Sequence, residues 1–305
     1  MHLDRLEPCK GMTTHHRTAG SLCALLVTLA VAGCGSTGAT EDDTSLSPEQ
    51  VAQRYGYDVG STDLTPVYAL VPQYRDPRDG YARDLLAARC LAGVVTYVAV
   101  PPGSADPFTD ERTGQPLFTA EIAARWGYPA LRGSEAAVDT AVPDEVEITD
   151  EIHASMVECG KAADERLGAV PERFLADVET AGWDAVPADP EVQAALAAWR
   201  ECMAPAGVVD LPADPHEMPS PSVVGRTGGE EVDAGAGVPL SDREREVAVT
   251  DADCRGSSGY EEAVLQARAE AELAAIGRDL ERFDASRRDL EAYSAGIDAV
   301  ITELG

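Results

Sequence analysis

Once its abundant carboxylates are set aside, this chain holds few residue types able to do chemistry. Beyond residue 33 the only histidines are His153 and His216, and neither falls in a metal-ligand spacing such as His-Glu-x-x-His. His153 lies in a helix-like stretch and reads as a solvated helix residue. His216, in Asp214-Pro215-His216-Glu217, reads as a loop residue. A serine-hydrolase elbow is missing, because Gly256-Ser257-Ser258-Gly259 and Gly133-Ser134 lack its spacing and follow no strand. No Walker-type glycine loop occurs. Acid pairs are guaranteed by abundance and carry little information. The densest run, Asp144-Glu145-Val146-Glu147-Ile148-Thr149-Asp150-Glu151, reads as a helix N-terminus whose acids complement the dipole. Calcium capture is the alternative, but the alternating Asp-x-Asp-x-Asp-Gly loop is absent. The sequence therefore implies no catalytic residue, no metal site and no cofactor.

The cysteines are more informative. Cys34 ends the run Val31-Ala32-Gly33-Cys34, which follows the apolar stretch Leu22 to Ala30 and the basic residues Lys10 and Arg17. This resembles the lipobox of a bacterial lipoprotein signal peptide. The resemblance implies cleavage before Cys34, acylation of Cys34 and a mature chain outside the cytoplasm. A membrane span is the weaker reading: Ser21 to Ala32 would rise about 18 Å as a helix, against a hydrocarbon core of roughly 30 Å. Plain secretion is the other rival. Met12 would open a more ordinary leader than Met1.

Four cysteines remain beyond the anchor: Cys90, Cys159, Cys202 and Cys254. An even count in an oxidising compartment reads as two disulfides, with buried free thiols as the alternative. Three connectivities are open. A faint internal echo bears on the choice. Cys90-Leu91 precedes Gly93-Val94-Val95, as Cys202-Met203 precedes Gly207-Val208-Val209; the segments ending at Cys159 and Cys254 also share a Glu-apolar start and an acid before the Cys. If one unit was duplicated, the pairs are Cys90–Cys159 and Cys202–Cys254. Chance similarity is the competing explanation.

The order Cys-Leu/Met…Gly, then Trp126-Gly127-Tyr128, then Trp199-Arg200-Glu201-Cys202-Met203, then Ala248-Val249-Thr250-Asp251-Ala252-Asp253-Cys254 before a long charged helix, resembles a family of uncharacterised actinobacterial lipoproteins. The resemblance implies an extracytoplasmic location and paired cysteines, and no activity.

Composition narrows the classes further. The chain carries a formal charge of −30; loss of residues 1–33 removes three basic and two acidic residues and leaves −31. Such a surface repels phosphate backbones, so nucleic acid is excluded as a partner. Aromatics make up only 5% of residues, which disfavours a sugar-stacking platform and leaves a thin core that cross-links should reinforce.

The elements follow from caps and periodicity. Ser47-Pro48-Glu49-Gln50 is a capping box opening a short helix toward Tyr55. Residues 58–80 read as loop, 79–92 as helix, and Val94 to Val100 as the best strand. Thr119, Thr149, Pro171 and Asp189-Pro190 open further helices, and residues 205–240 read as an irregular connection. Ser241-Asp242-Arg243-Glu244 starts a helical region to the end, with a break at Gly256-Ser257-Ser258-Gly259. A heptad-like seam runs Leu273, Ile276, Leu280, Phe283, Arg287, Leu290, Ser294, Ile297, Ile301, Leu304. Tyr260 to Leu304 as one helix would be roughly 68 Å long, so it must lie along its own domain, fold back or meet a partner.

The resulting expectation is a mainly α fold with a minor β component: a disulfide-linked helical domain with a long C-terminal helix. Residues 1–33 would be the leader, 34–46 a flexible tether, 47–240 the disulfide-containing domain with a diverged duplication, and 241–305 a helical arm packing on it. Leu280, Phe283, Leu290 and Ile297 are the candidate partner-binding residues. The functional expectation is a lipid-anchored, non-catalytic interaction or accessory protein at the extracytoplasmic face of the cell membrane, with an envelope protein as partner. The alternative is an extracytoplasmic ligand-binding protein, or a carboxylate-based enzyme, whose site is assembled only in three dimensions.

Overall fold

Ser47 closes its capping box as expected: its hydroxyl accepts from the Gln50 N–H, and the Gln50 side chain accepts from the Ser47 N–H at 2.9 Å. This sets α1 (Pro48–Tyr55), which ends at left-handed Gly56. The structure is a computed structural model that describes residues 45–61, 63–99, 101–102, 108, 117–129, 148–225 and 240–305. All of these fall in one compact unit. The leader, Cys34 and nearly all of the tether lie outside the described residues.

Nine further helices follow among the described residues: α2 (Pro66–Leu70), α3 (Arg78–Cys90), α4 (Ala120–Trp126), α5 (Asp150–Leu167), α6 (Arg173–Ala185), α7 (Pro190–Met203), α8 (Asp242–Ser258), α9 (Tyr260–Arg278) and α10 (Leu280–Leu304). Side-chain caps from Thr119, Thr149, Asp189 and Ser241 start α4, α5, α7 and α8 at the positions that the sequence marks. The fold is helical, and the long C-terminal helix is present. Among the described residues no helix is long and apolar enough to cross a membrane.

α9 is the central strut, packing against α1, α2, α6 and α7; α8 packs on α4 and α7, while α3 packs on α5 and α10. The main core gathers Val51, Val67, Tyr68, Tyr74, Leu175, Val178, Leu273, Ile276, Phe283 and Leu290. A second core surrounds Trp199, Tyr128, Met203, Val247 and Ala248.

Three expectations change. First, residues 94–99 form no strand, and no strand occurs among the described residues. The N–H groups of Val94 and Val95 both turn back to the Leu91 carbonyl, finishing α3 instead of reaching an extended neighbour. Val94 and Val98 are left exposed, and Val100 lies outside the described residues. Second, residues 58–80 are not all loop. Pro66, Val67 and Tyr68 form α2 and bury themselves in the main core. Third, Tyr260 to Leu304 is not one helix but two, α9 and the 25-residue α10. Asp279 leaves helical geometry (φ −148°, ψ 71°) and its carboxylate accepts from the Arg282 N–H at 3.0 Å, capping α10. The break is held from outside as well, since the Leu46 N–H donates to the Gly277 carbonyl at 3.0 Å.

The two disulfides join Cys90 to Cys159 and Cys202 to Cys254, each with a Cα–Cα separation of 5.6 Å. This is the pairing that a duplicated unit implies. The halves also match locally: α3 and α7 both end at or just after their Cys, and both are followed by a glycine of positive φ, Gly93 and Gly207.

Candidate functional site

α6 buries a stripe of Phe174, Leu175 and Val178. Glu179 falls on the same face, four residues after Leu175, and is carried inside with 5% of its surface exposed. A carboxylate there needs donors, and it has them. Tyr68 and Tyr74 each donate a hydroxyl at 2.7 Å, and Arg75 Nη2 donates at 2.8 Å. Burial pushes the Glu179 carboxyl up, but these donors outweigh it and hold the group below its usual range.

Behind Glu179 lies a second buried acid. Glu272 on α9 is fully enclosed, accepting from the Val67 N–H at 3.0 Å and from Arg268 Nη2 at 3.3 Å. Burial dominates here and raises its carboxyl to about 7, against the opposing pull of the Val67 N–H and Arg268. Arg268 also lies 3.8 Å from Glu179 and 4.0 Å above the Trp183 ring. Gly182 makes room for this arrangement: a Cβ there would meet Glu272 Oε1 at 2.9 Å.

A separate polar core explains the tryptophan and tyrosine motifs. Asp251 on α8 is fully buried and accepts from Trp199 Nε1 (2.9 Å), Tyr128 Oη (3.2 Å) and both Arg255 Nε (3.0 Å) and Nη2 (2.9 Å). Arg255 stacks 4.6 Å over Phe118. The Tyr128 N–H donates to Glu244 at 3.2 Å, and Gly127 (φ +66°) allows that close approach. Every polar atom named in this cluster is paired with another of its members, so the cluster fastens α4, α7 and α8 together.

One cleft opens beside the Glu179 network. It has a volume of about 280 Å³ and lies between the 71–77 turn, the first turn of α3, the start of α6 and α10. On the α3 side Asp76 accepts from Arg78 (2.6 Å) and Ser294 (3.2 Å), and Asp79 accepts from Arg83 (3.0 Å) and Tyr293 (2.5 Å). Arg78 and Asp76 hold each other's charges, as the lowered carboxyl of Asp76 reflects: burial opposes this, and hydrogen bonds from Arg78 overcome it. On the other side stand Gln73, Arg75 and Glu172. The lining has no His, Cys or Lys, and its α3-side acids are already neutralised. The arrangement can therefore bind through charge and hydrogen bonds.

The sequence-selected residues lie elsewhere. Phe283, Leu290 and Ile297 are at most 1% exposed, and Leu280 packs against the main core. These four do not form an open partner-binding face; α10 spends its seam on its own unit. Ser294, which interrupts the seam, receives the Arg78 guanidinium at 2.9 Å. Arg287, the other interruption, lies over Tyr55 and Phe283. His153 is exposed on α5. His216 lies between Asp214 (3.2 Å) and Glu261 (3.3 Å); burial lowers its pKa, and Glu261 more than reverses that. Of the acidic run, Asp150 and Glu151 form the first turn of α5, and 144–147 lie outside the described residues. No group of three metal-ligating side chains occurs among the described residues.

Glu179, Glu272 and Arg75 escape a sequence reading based on motifs; Asp251 stands inside the segment ending at Cys254, which marks its position and not its role. The available signal is an acid inside an apolar stripe: Glu179 beside Val178, and Glu272 between Ala269, Leu273 and Ile276. Comparison with known proteins finds no family model, no curated protein and no solved structure that this chain matches.

Proposed function

We propose that the chain is a lipid-anchored protein of the extracytoplasmic face of the cell membrane, held through acylated Cys34, and an accessory or interaction protein of the envelope with no catalysis of its own. The pairing of all four cysteines beyond Cys34 is the observation that carries this reading. Structural disulfides belong to oxidising compartments, and the lipobox-like run ending at Cys34 supplies the matching address. The resemblance to actinobacterial lipoproteins supports the same placement. Because the heptad seam is turned inward, an envelope partner would meet another face.

The test is metabolic labelling with a fatty-acid analogue in a lipoprotein-processing host. The expected result is a labelled, membrane-bound protein with no free thiol, and loss of label in Cys34→Ala. An unlabelled, leader-retaining protein with four reduced thiols would reject the reading. A second reading, an extracytoplasmic ligand-binding protein, is favoured by the cleft beside Glu179, whose lining presents charged groups to solvent in a concave setting.

A further inference from the structure

We propose that this cleft binds a small zwitterion of the α-amino acid class, its carboxylate on Arg75 and Gln73 and its ammonium on Glu172. The inference rests on the ligand-binding reading and goes beyond it by naming the ligand chemistry.

Arg75 is the first ground. It is the only non-glycine residue of positive φ among the described residues, at +52°. An L-residue there is strained, and such strain persists only where surrounding contacts impose it. The contacts are visible: the Arg75 N–H donates to Glu172 Oε1 at 3.1 Å, and Nη2 donates to Glu179 at 2.8 Å. The result is a guanidinium held by Glu179 and by the Tyr74 side chain, with 51% of the Arg75 side chain still exposed. A guanidinium fixed in this way is prepared to meet a carboxylate without further ordering.

The second ground is which polar groups remain unsatisfied. Asp76 and Asp79 are matched by Arg78, Arg83, Ser294 and Tyr293. The Gln73 amide has no hydrogen-bond partner among the described residues, and Glu172 uses one oxygen on Arg75 and leaves the other open. What remains is a half-exposed guanidinium that already meets Glu179, an amide donor beside it, and one carboxylate oxygen. A ligand that satisfies these groups carries a negative and a positive end.

The third ground is the field of the molecule. A chain of net charge −30 repels a simple anion, whereas a zwitterion brings its own compensating charge. The cleft volume of about 280 Å³ sets the scale of the ligand as small.

The experiment is calorimetric titration of the folded mature protein with each of the common α-amino acids, alongside acetate, ethylamine, and the N-acetyl and C-amide derivatives of any binder. At least one free amino acid should bind with a Kd below about 1 mM. Blocking either end should weaken binding at least about tenfold, as should Arg75→Ala and Gln73→Ala. Gln73→Ala removes no hydrogen bond among the described residues, so it keeps the test open even if Arg75→Ala unfolds. If no free amino acid binds, or if the blocked forms bind equally well, the zwitterion assignment is overturned. Acetate binding that is lost in both variants would overturn the zwitterion while leaving the cleft as a ligand site. Binding unaffected by either variant would overturn the cleft as well.

Discussion

Replacing Glu272 by glutamine should remove a specific pH dependence from the stability of this protein. The Glu272 carboxyl is fully enclosed and titrates at about 7, against 4.5 for an ordinary glutamate. The folded state thus holds this proton more tightly than the unfolded chain does. The stability it contributes is complete below about pH 4.5 and is lost as pH rises toward about 7. The separation between those two values corresponds to about 3 kcal/mol. A glutamine side chain mimics the protonated acid, since its amide oxygen can still accept from the Val67 N–H and it carries no charge at any pH. The groups facing the site are Glu179 from α6, Arg268 from α9 and Tyr57 after α1; Arg268 keeps Glu179 at 3.8 Å when the charge on residue 272 is gone. The assay is urea unfolding of both proteins, followed by circular dichroism, across about pH 4 to pH 8. The two should be nearly equal at the acid end, and Glu272→Gln should be more stable by about 3 kcal/mol at the alkaline end. A stability difference that stays constant with pH would refute the reasoning.

Other outcomes follow from the same structure. Removing either cysteine pair as a double serine variant should cost about 4 kcal/mol on the loop-entropy account, given sequence separations of 69 and 52 residues; an unchanged urea midpoint would contradict it. Asp251→Ala strands the buried Arg255 along with the Trp199 and Tyr128 donors. It should lose about 3–5 kcal/mol, read from the same unfolding curves and from an altered Trp199 emission. Gly277→Ala drives a Cβ into the Leu46 carbonyl and should destabilise by about 1–3 kcal/mol, whereas Gly256→Ala, whose Cβ meets nothing, should be neutral or slightly stabilising. Equal effects of the two alanines would show that the Leu46 contact is not what Gly277 accommodates.

The parts of this fold that can be read from the chain are those written in local chemistry. Ser47, Thr119, Thr149, Asp189 and Ser241 mark helix starts because a short side-chain oxygen satisfies N–H groups that the helix itself cannot. Spacing alone leaves three cysteine pairings open; the one observed is the one that a duplicated unit would imply. The α9–α10 break is harder to read, because the heptad rhythm runs unbroken through Gly277-Arg278-Asp279 and masks the Asp279 cap, while the outside contact from Leu46 lies far away in sequence. The expected strand at Val94 fails for a related reason: β-branched residues favour extended backbone only where a neighbour accepts the ladder. Leu280, Phe283, Leu290 and Ile297 do form one stripe, as their spacing implies, but periodicity says nothing about whether a stripe faces its own unit or another molecule. The cleft is hidden most thoroughly. Its residues come from three separate stretches, and Arg75 owes its conformation to Glu172 and Glu179, 97 and 104 residues away in the chain.

The Leu46–Gly277 hydrogen bond and the packing of α1 on α9 also say something about assembly order. The earliest helix of the unit completes its burial only against one of the last two made, and α3 likewise waits for α10. At roughly 5–20 residues per second, the ribosome takes on the order of ten seconds or more to deliver those closing pieces. Until then Val51 and its neighbours on α1 have no α9 face to pack against, so the main core closes only when the C-terminal helices are made.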